Sequence, residues 1–594
     1  MSKPVARLAV VLVPLLLAPA FALRAQCDSW SWLNPSPQGN ALEGVAYGAG
    51  QFVAVGDAGT ILASADGAAW SPISSGTSAD LADVAFDGST FLAVGAAGAA
   101  LASLDGRTWE PRSIGVPADL SRVARGRSLW VAVGSAGTVV TSPDGLVWTA
   151  RSSGLSEDLS DLVWSGNRFV AVGQAGAVAT SDDGLVWRAE SSRTRDHLFG
   201  VAWDGRDFLA IGEDFLTLAG VYRSAEGSSW RGTRVQARSL RRVIWTGSEY
   251  LAVGQFGAIA GSPDGSQWEE RNSGPGASLN GIAQGPPGFV AVGEKGVVRT
   301  SPDGRIWTDR APGPRGTFSA LASNGRVSVV VGAEGLIATS SDGAAWARRS
   351  SGSFRWLLGV VWNGRTFVAV GEAGTVLSSP DGILWTDRSP GVSEVLYDVV
   401  WDGRRFLAVG SGGIVLSSPD GVAWTRGSAG LPRSLYAVAW NGSRYVAVGG
   451  YASGSLLWSD DGSSWTTVSG AAPGSPLYDV VWSGSRFLAV GADGRVAVSS
   501  DGVGWTEGAI GAPGPFFAAE AAGTGFVAVG ENGIAAASAD GLSWSVRDSG
   551  TSQDLLGLAR LGSRVVALGR GGAILDTGCD LAARRAPRVV ARAD

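Results

Sequence analysis

One histidine, one methionine and two cysteines in 594 residues leave few groups for metal or nucleophile chemistry. A zinc site needs clustered His, Cys or carboxylate donors, and a Ser-His triad needs a histidine to spare. His197 is the single histidine, so both chemistries are disfavoured, and no cofactor is expected. Charge is scarce as well: charged residues make up 17% of the chain and the formal net charge is −6, which leaves no basic field for nucleic acid. The apolar run from Leu8 to Leu17 is too short for a membrane span. No helical period of apolar residues competes with what the chain does contain.

What is present is repetition. Thirteen copies of Ser-x-Asp-Gly-x-x-Trp, one with Glu for Asp, carry their acidic residues at Asp66, Asp105, Asp144, Asp183, Glu226, Asp264, Asp303, Asp342, Asp381, Asp420, Asp461, Asp501 and Asp540, and most steps between them are 39 residues. A period of about 40 residues marks a supersecondary unit stacked on its own copies. The stretch from Leu159 to Trp187 divides into four short strands, the first two joined by turns such as Asp204-Gly205 or Asn363-Gly364. The motif is a structural turn: Ser and Asp side chains bond turn N–H groups, and Gly takes a positive φ. Its Trp opens the outer strand and packs between sheets, where its burial is worth about 2–3 kcal/mol.

These residues resemble the Asp-box, or bacterial-neuraminidase-repeat, class of β-propeller, and within it most closely the photosystem II stability and assembly factor-like family of secreted propellers. The resemblance covers residues 30 to 580 and implies an all-β propeller. It implies function less narrowly, because the class holds sialidases as well as non-catalytic assembly factors and lectin-like binders. A sialidase would carry an Arg-Ile-Pro motif near its start. None occurs, and Arg305-Ile306-Trp307 lies inside a motif turn.

The second strand, ending in Val-Gly or a variant, recurs 14 times from Gly56 to Gly569, and the last unit lacks the motif turn and fourth strand. The segment from Trp32 to Leu42 parallels Trp148 to Leu159, so the chain ends are expected to complete one shared blade. Fourteen four-stranded blades in two rings of seven are expected, with a single oversized ring as the alternative. By position the sets fall at about 26–300 and 301–579, with interleaving left open. Aligning Gly572 with Gly176 places Cys579 near the missing turn, and Cys27 precedes Trp32 by five residues, which predicts a Cys27–Cys579 disulfide in place of that turn. Residues 1–25 read as a secretory signal with Lys3 and Arg7 before the apolar run and cleavage after Ala22 or Ala25. The expected compartment is periplasmic or extracellular, in a bacterium, where a disulfide persists. Residues 580–594, with Arg584, Arg585, Arg588 and Arg592, read as a disordered tail.

Departures from the strict repeat mark the candidate binding face, opposite the motif turns. They are Arg195, His197 and Phe199; Glu213 and Asp214, which open a lengthened second-to-third-strand loop; Phe354, Arg355 and Trp356; Tyr451 in the other lengthened loop; and Phe516 and Phe517 in an inter-blade loop. Glu294, Glu372 and Glu531 are expected on the same face. The expected function is an exported, monomeric, non-enzymatic scaffold that binds an envelope or extracellular protein. The alternatives are a lectin-like glycan binder using Trp356 and Tyr451, and a glycoside hydrolase built on two converging carboxylates.

Overall fold

The computed structural model describes residues 30–34, 38–213, 219–235, 240–271, 276–310, 313–451, 454–468 and 474–580. The expected signal segment, Cys27, Asp214 and the Arg-rich tail beyond Asp580 lie outside them. The described chain forms 14 antiparallel sheets of four strands, each built in sequence order except the last. The first sheet comprises Leu42–Gly48, Gln51–Gly56, Ile61–Ser64 and Ser71–Ile73. The fourteenth takes Leu555–Leu561, Arg564–Gly569 and Ile574–Asp580 from the end of the chain and Ser31–Asn34 from its beginning, with Ser31 opposite Asp576. The shared sheet is therefore as the sequence predicts.

Burial follows the strand order. Second strands such as Phe169–Gly173 are buried at every position, whereas fourth strands such as Thr149–Ser152 are largely exposed. Each fully apolar strand thus lies between neighbouring sheets, and the outer strand carries the polar surface. First strands pack side by side from sheet to sheet. That of the first sheet touches those of the second and the seventh, and that of the eighth, Phe318–Ser323, touches those of the ninth and the fourteenth.

Local chemistry explains both kinds of turn. In the motif turn at residues 142–148, Ser142 Oγ accepts the Gly145 N–H at 2.8 Å, and Asp144 Oδ1 accepts those of Leu146 and Val147 at 2.9 and 3.2 Å. Gly145 takes φ +76°, and the Trp148 indole N–H closes the turn on the Gly145 carbonyl at 3.2 Å. Turn arginines clamp neighbouring sheets: Arg168 Nη1 donates to the Glu226 carbonyl at 2.7 Å and Arg486 Nη1 to that of Asp540 at 2.9 Å.

The junction of second and third strands is a tight one-turn element that the sequence does not announce. At Ser135–Gly137 the middle residue, Ala136, sits at φ +51° and donates its N–H to Asp158 of the next sheet at 2.8 Å. The glycine before it, Gly134, lets the backbone close in: a Cβ there would stand 1.9 Å from the Asp119 carbonyl oxygen. In two sheets the segments after Glu213 and Gly450, which the sequence singles out, are longer and lie partly outside the described residues.

Candidate functional site

Strands run alternately up and down, so the motif turns share one face, and the second-to-third-strand junctions share the other with the links between sheets. Each first strand is terminal in its sheet. One of its edges therefore needs hydrogen-bond partners from elsewhere.

Aspartates supply some of them. Asp161 accepts the N–H of Leu162 at 2.9 Å and that of Val201, one sheet on, at 2.8 Å. Asp83, Asp398 and Asp479 hold the same register position and bond the next sheet at Val123, Val438 and Ala519 at 3.1, 2.9 and 2.8 Å. Among the first seven sheets these carboxylates also meet cations. Arg122 of the third sheet lies 3.7 Å from Asp83 and 3.3 Å from Asp161. Arg242 of the sixth sheet reaches Asp161 of the fourth at 2.7 Å and Asp83 of the second at 3.8 Å. These pairs bring together side chains from first strands two and four sheets apart.

One residue earlier in each first strand the pairing slips, leaving an extra residue in the ladder. In the first seven sheets this position holds Glu43, Ala82, Ser121, Ser160, Phe199, Arg241 and Asn280, so it is polar in all but the second and fifth. Asn280 Nδ2 donates to Glu43 Oε1 at 3.0 Å. Glu43, Asp80, Asp119, Ser121, Arg122 and Ser160 line a cavity of about 350 Å³. Burial first, and then Asp57, pushes the Glu43 carboxyl up to about 7; burial and Asp80 push Asp57 up to about 6. In the tenth to thirteenth sheets the same position is aromatic, while the eighth, ninth and fourteenth hold Ser319, Leu358 and Leu556. Tyr397, Tyr436, Tyr478 and Phe517, all half-buried, touch in succession with ring centroids 5.1, 6.0 and 5.7 Å apart. Burial raises the carboxyls of Asp398 and Asp479, the latter to about 7, and the charges acting on Asp479 are Asp398 and Glu520, of like sign.

The residues singled out in the sequence separate into two groups. His197 and Phe199 lie in the strand His197–Trp203, stacked at 4.3 Å, with His197 Nε2 3.0 Å from Ser160 Oγ. Burial lowers the His197 pKa. Glu213 pairs across from His197 at the end of its strand, and Arg195 is exposed. Asp196, which the sequence reading passes over, fixes the loop between them by accepting Arg234 Nη1 at 2.6 Å and the Tyr222 hydroxyl. In the later sheets Phe354 is 93% exposed beside an exposed Arg355, and Tyr451 is 90% exposed.

Trp356 is half-buried. Its indole donates to Ser319 Oγ at 2.7 Å and its backbone N–H to Glu372 Oε2 at 3.1 Å. Glu372 is thus engaged in holding a strand start rather than free at a loop tip. Phe516 and Phe517 require a correction, because both lie within the strand Phe516–Ala522 and not in a loop. Phe516 is fully buried, at the position that Leu42 fills in the first sheet, so it seals the core. Tyr397, Tyr436 and Tyr478 were missed, although each follows the buried leucine that opens its strand, and comparing that column across units would have shown them.

Cys579 is 2% exposed and is disulfide-bonded; its expected partner, Cys27, lies outside the described residues. Among the described residues no three His, Cys, Asp or Glu side chains gather as a metal site, and no helix is long and apolar enough to cross a membrane.

No protein-family model and no curated protein matches the chain. Solved structures do. An ancestral GH74 enzyme aligns over 92% of this chain and 98% of its own with a TM-score of 0.69 at 14% identity. PorZ, a surface component of the type-IX secretion system of Porphyromonas gingivalis, aligns over 92% and 86% with a TM-score of 0.61 at 12% identity. These likenesses are of fold and mark a repeat-built β-propeller. YCF48 from Cyanidioschyzon merolae aligns over 46% of this chain with a TM-score of 0.38, too low to carry an argument.

Proposed function

We propose that this chain is an exported, non-enzymatic propeller of the Asp-box type, most like the photosystem II stability and assembly factor-like family, that binds a protein partner in the bacterial envelope. Packing of the first strands supports two rings of seven blades. The first ring spans residues 42–309; the second spans 318–580 and is completed by residues 31–34. The Cys27–Cys579 disulfide would lock that completion.

The observation that carries the binding role is the exposure of Phe354 and Tyr451, two large aromatics on the face opposite the motif turns. Exposed aromatics grouped on one rigid face act as anchors for a partner surface. An enzyme and a secretion-system component share this architecture, so the choice between them rests on the site. In the second ring, Asp398 and Asp479 each accept one backbone N–H per carboxylate oxygen, which supports positioning over acid–base work.

Photo-crosslinking residues placed at 354 and at 451 in the native host test this. Capture of one and the same envelope protein from both positions, and not from Leu146 on the turn face, is expected. Absence of a common product would overturn the reading. A glycan-directed role is the second reading, favoured by Tyr451 as a stacking platform and by the raised carboxyls of Glu43 and Asp57. A glycan array followed by mass analysis separates its two forms: binding without cleavage supports a lectin, and cleavage lost in Glu43→Gln supports a hydrolase.

A further inference from the structure

The two rings carry the same pair of lumen aspartates but only one carries cations for them. In the first ring the register position runs Asp83, Arg122, Asp161, Gly200, Arg242 through sheets two to six. In the second it runs Asp398, Ala437, Asp479, Ala518, Gly557 through sheets ten to fourteen. The aspartates keep their spacing of two sheets and their bonds to the next sheet. Alanine and glycine stand where the arginines stood. Among the described residues no ion pair reaches Asp398 or Asp479, and Glu520, which adds to the field at Asp479, is paired at 3.2 Å with Arg560.

Above these carboxylates Ala82, Ser121 and Ser160 of the first ring give way to Tyr397, Tyr436 and Tyr478, while Phe517 stands where the first ring holds Phe199. Tyr436 also lies within electrostatic reach of the exposed Tyr451, so the aromatic lining extends toward the rim. Aromatic faces attract a guanidinium or ammonium once it is partly desolvated. Carboxylates below them supply the charge-assisted hydrogen bonds that such a group needs. Carboxylates alone would fit a metal ion, and aromatics alone an apolar side chain. Together, in the register where the sister ring holds its own arginines, they fit one ligand chemistry.

The geometry points to the lumen of the second ring as the docking site for an arginine side chain presented by a protein partner, which enters past Tyr436 and Tyr478 and pairs with Asp398 and Asp479. This rests on the scaffold reading and names the group the partner inserts.

The probe is the capped peptide Gly-Ser-Arg-Ser-Gly, titrated calorimetrically into the full-length protein beside the same peptide with citrulline for arginine. Citrulline keeps the shape and removes the charge. Saturable binding of the arginine peptide is expected, with the citrulline peptide weaker by about tenfold or more. Ala437→Arg rebuilds the first-ring arrangement and is expected to abolish binding while raising the melting temperature. Tyr436→Leu is expected to weaken binding by about fivefold with the circular dichroism unchanged, and it keeps the test intact should Ala437→Arg not fold.

Equal binding of both peptides, or no binding up to about 10 mM, would overturn the proposal. Methylguanidinium binding as tightly as the peptide would overturn it in favour of a small-cation site. The crosslinks from positions 354 and 451 do not depend on the lumen, so their survival alongside a failed titration would sink this site alone.

Discussion

At the scale of single residues, stability depends on atoms that have no freedom to move. Ser142 Oγ is the buried acceptor for Gly145 N–H, so Ser142→Ala leaves that donor unsatisfied and is expected to cost about 1–2 kcal/mol in urea denaturation. Gly134→Ala should cost more, about 3 kcal/mol, because the new Cβ would meet the Asp119 carbonyl and only backbone movement could relieve it. A Gly134→Ala midpoint equal to wild type would refute the close approach. The turn was legible in the sequence because its bonds join residues two or three apart. Glycine at 134 was legible only as a recurring letter, since the oxygen it accommodates arrives from a different strand. The tyrosines at 397, 436 and 478 were harder still, because their contacts run between sheets about 40 residues apart.

At the scale of elements, Ser31–Asn34 is the one strand whose partner lies at the other end of the chain. Asn34 Nδ2 donates to the Gly572 carbonyl at 2.7 Å and to that of Pro314 at 3.1 Å, which ties the fourteenth sheet to the segment before the eighth. Removing residues 1–34 would leave the strand Ile574–Asp580 as an open edge, a template for pairing with another chain. The truncated protein is expected to associate in multi-angle light scattering where the intact protein remains a monomer. Persistence as a monomer would mean that the edge is covered in some other way. The shared blade could be read from the sequence because the tail of one repeat unit appears before the first complete one. Phe516 was misplaced because the strand begins earlier than its alternation of apolar and polar residues implies, a boundary decided by packing against Leu488 and Val490.

At the scale of the whole molecule, two families of carboxylate pull stability in opposite directions with pH. Backbone N–H groups hold motif aspartates such as Asp342 and Asp540 down to about 2, from 3.8, so their contribution is present above pH 4 and lost as pH falls through 2. Burial raises Glu43 and Asp479 to about 7, so theirs is present below pH 4 and lost as pH rises through 7. His197, lowered by burial, works against this second trend. Thermal melts are expected to peak between about pH 4 and 5, and Asp479→Asn is expected to flatten the fall toward pH 7. A melting temperature rising steadily to pH 7 would contradict the burial of these groups. Fourteen units could be counted from the sequence. Which first strands pack together could not, because the 39-residue spacing runs unbroken from Asp264 to Asp420 and only long-range contacts record that the first meets the seventh and the eighth the fourteenth. The pairing of Ser31 with Asp576 also sets a timetable. Strands emerge from synthesis in order, so the strand at residues 31–34 must wait, unpaired, while every other sheet assembles. The slowest folding step is then the return of the first strand to the last, and a helper that shields it during that wait would speed maturation without touching the finished protein.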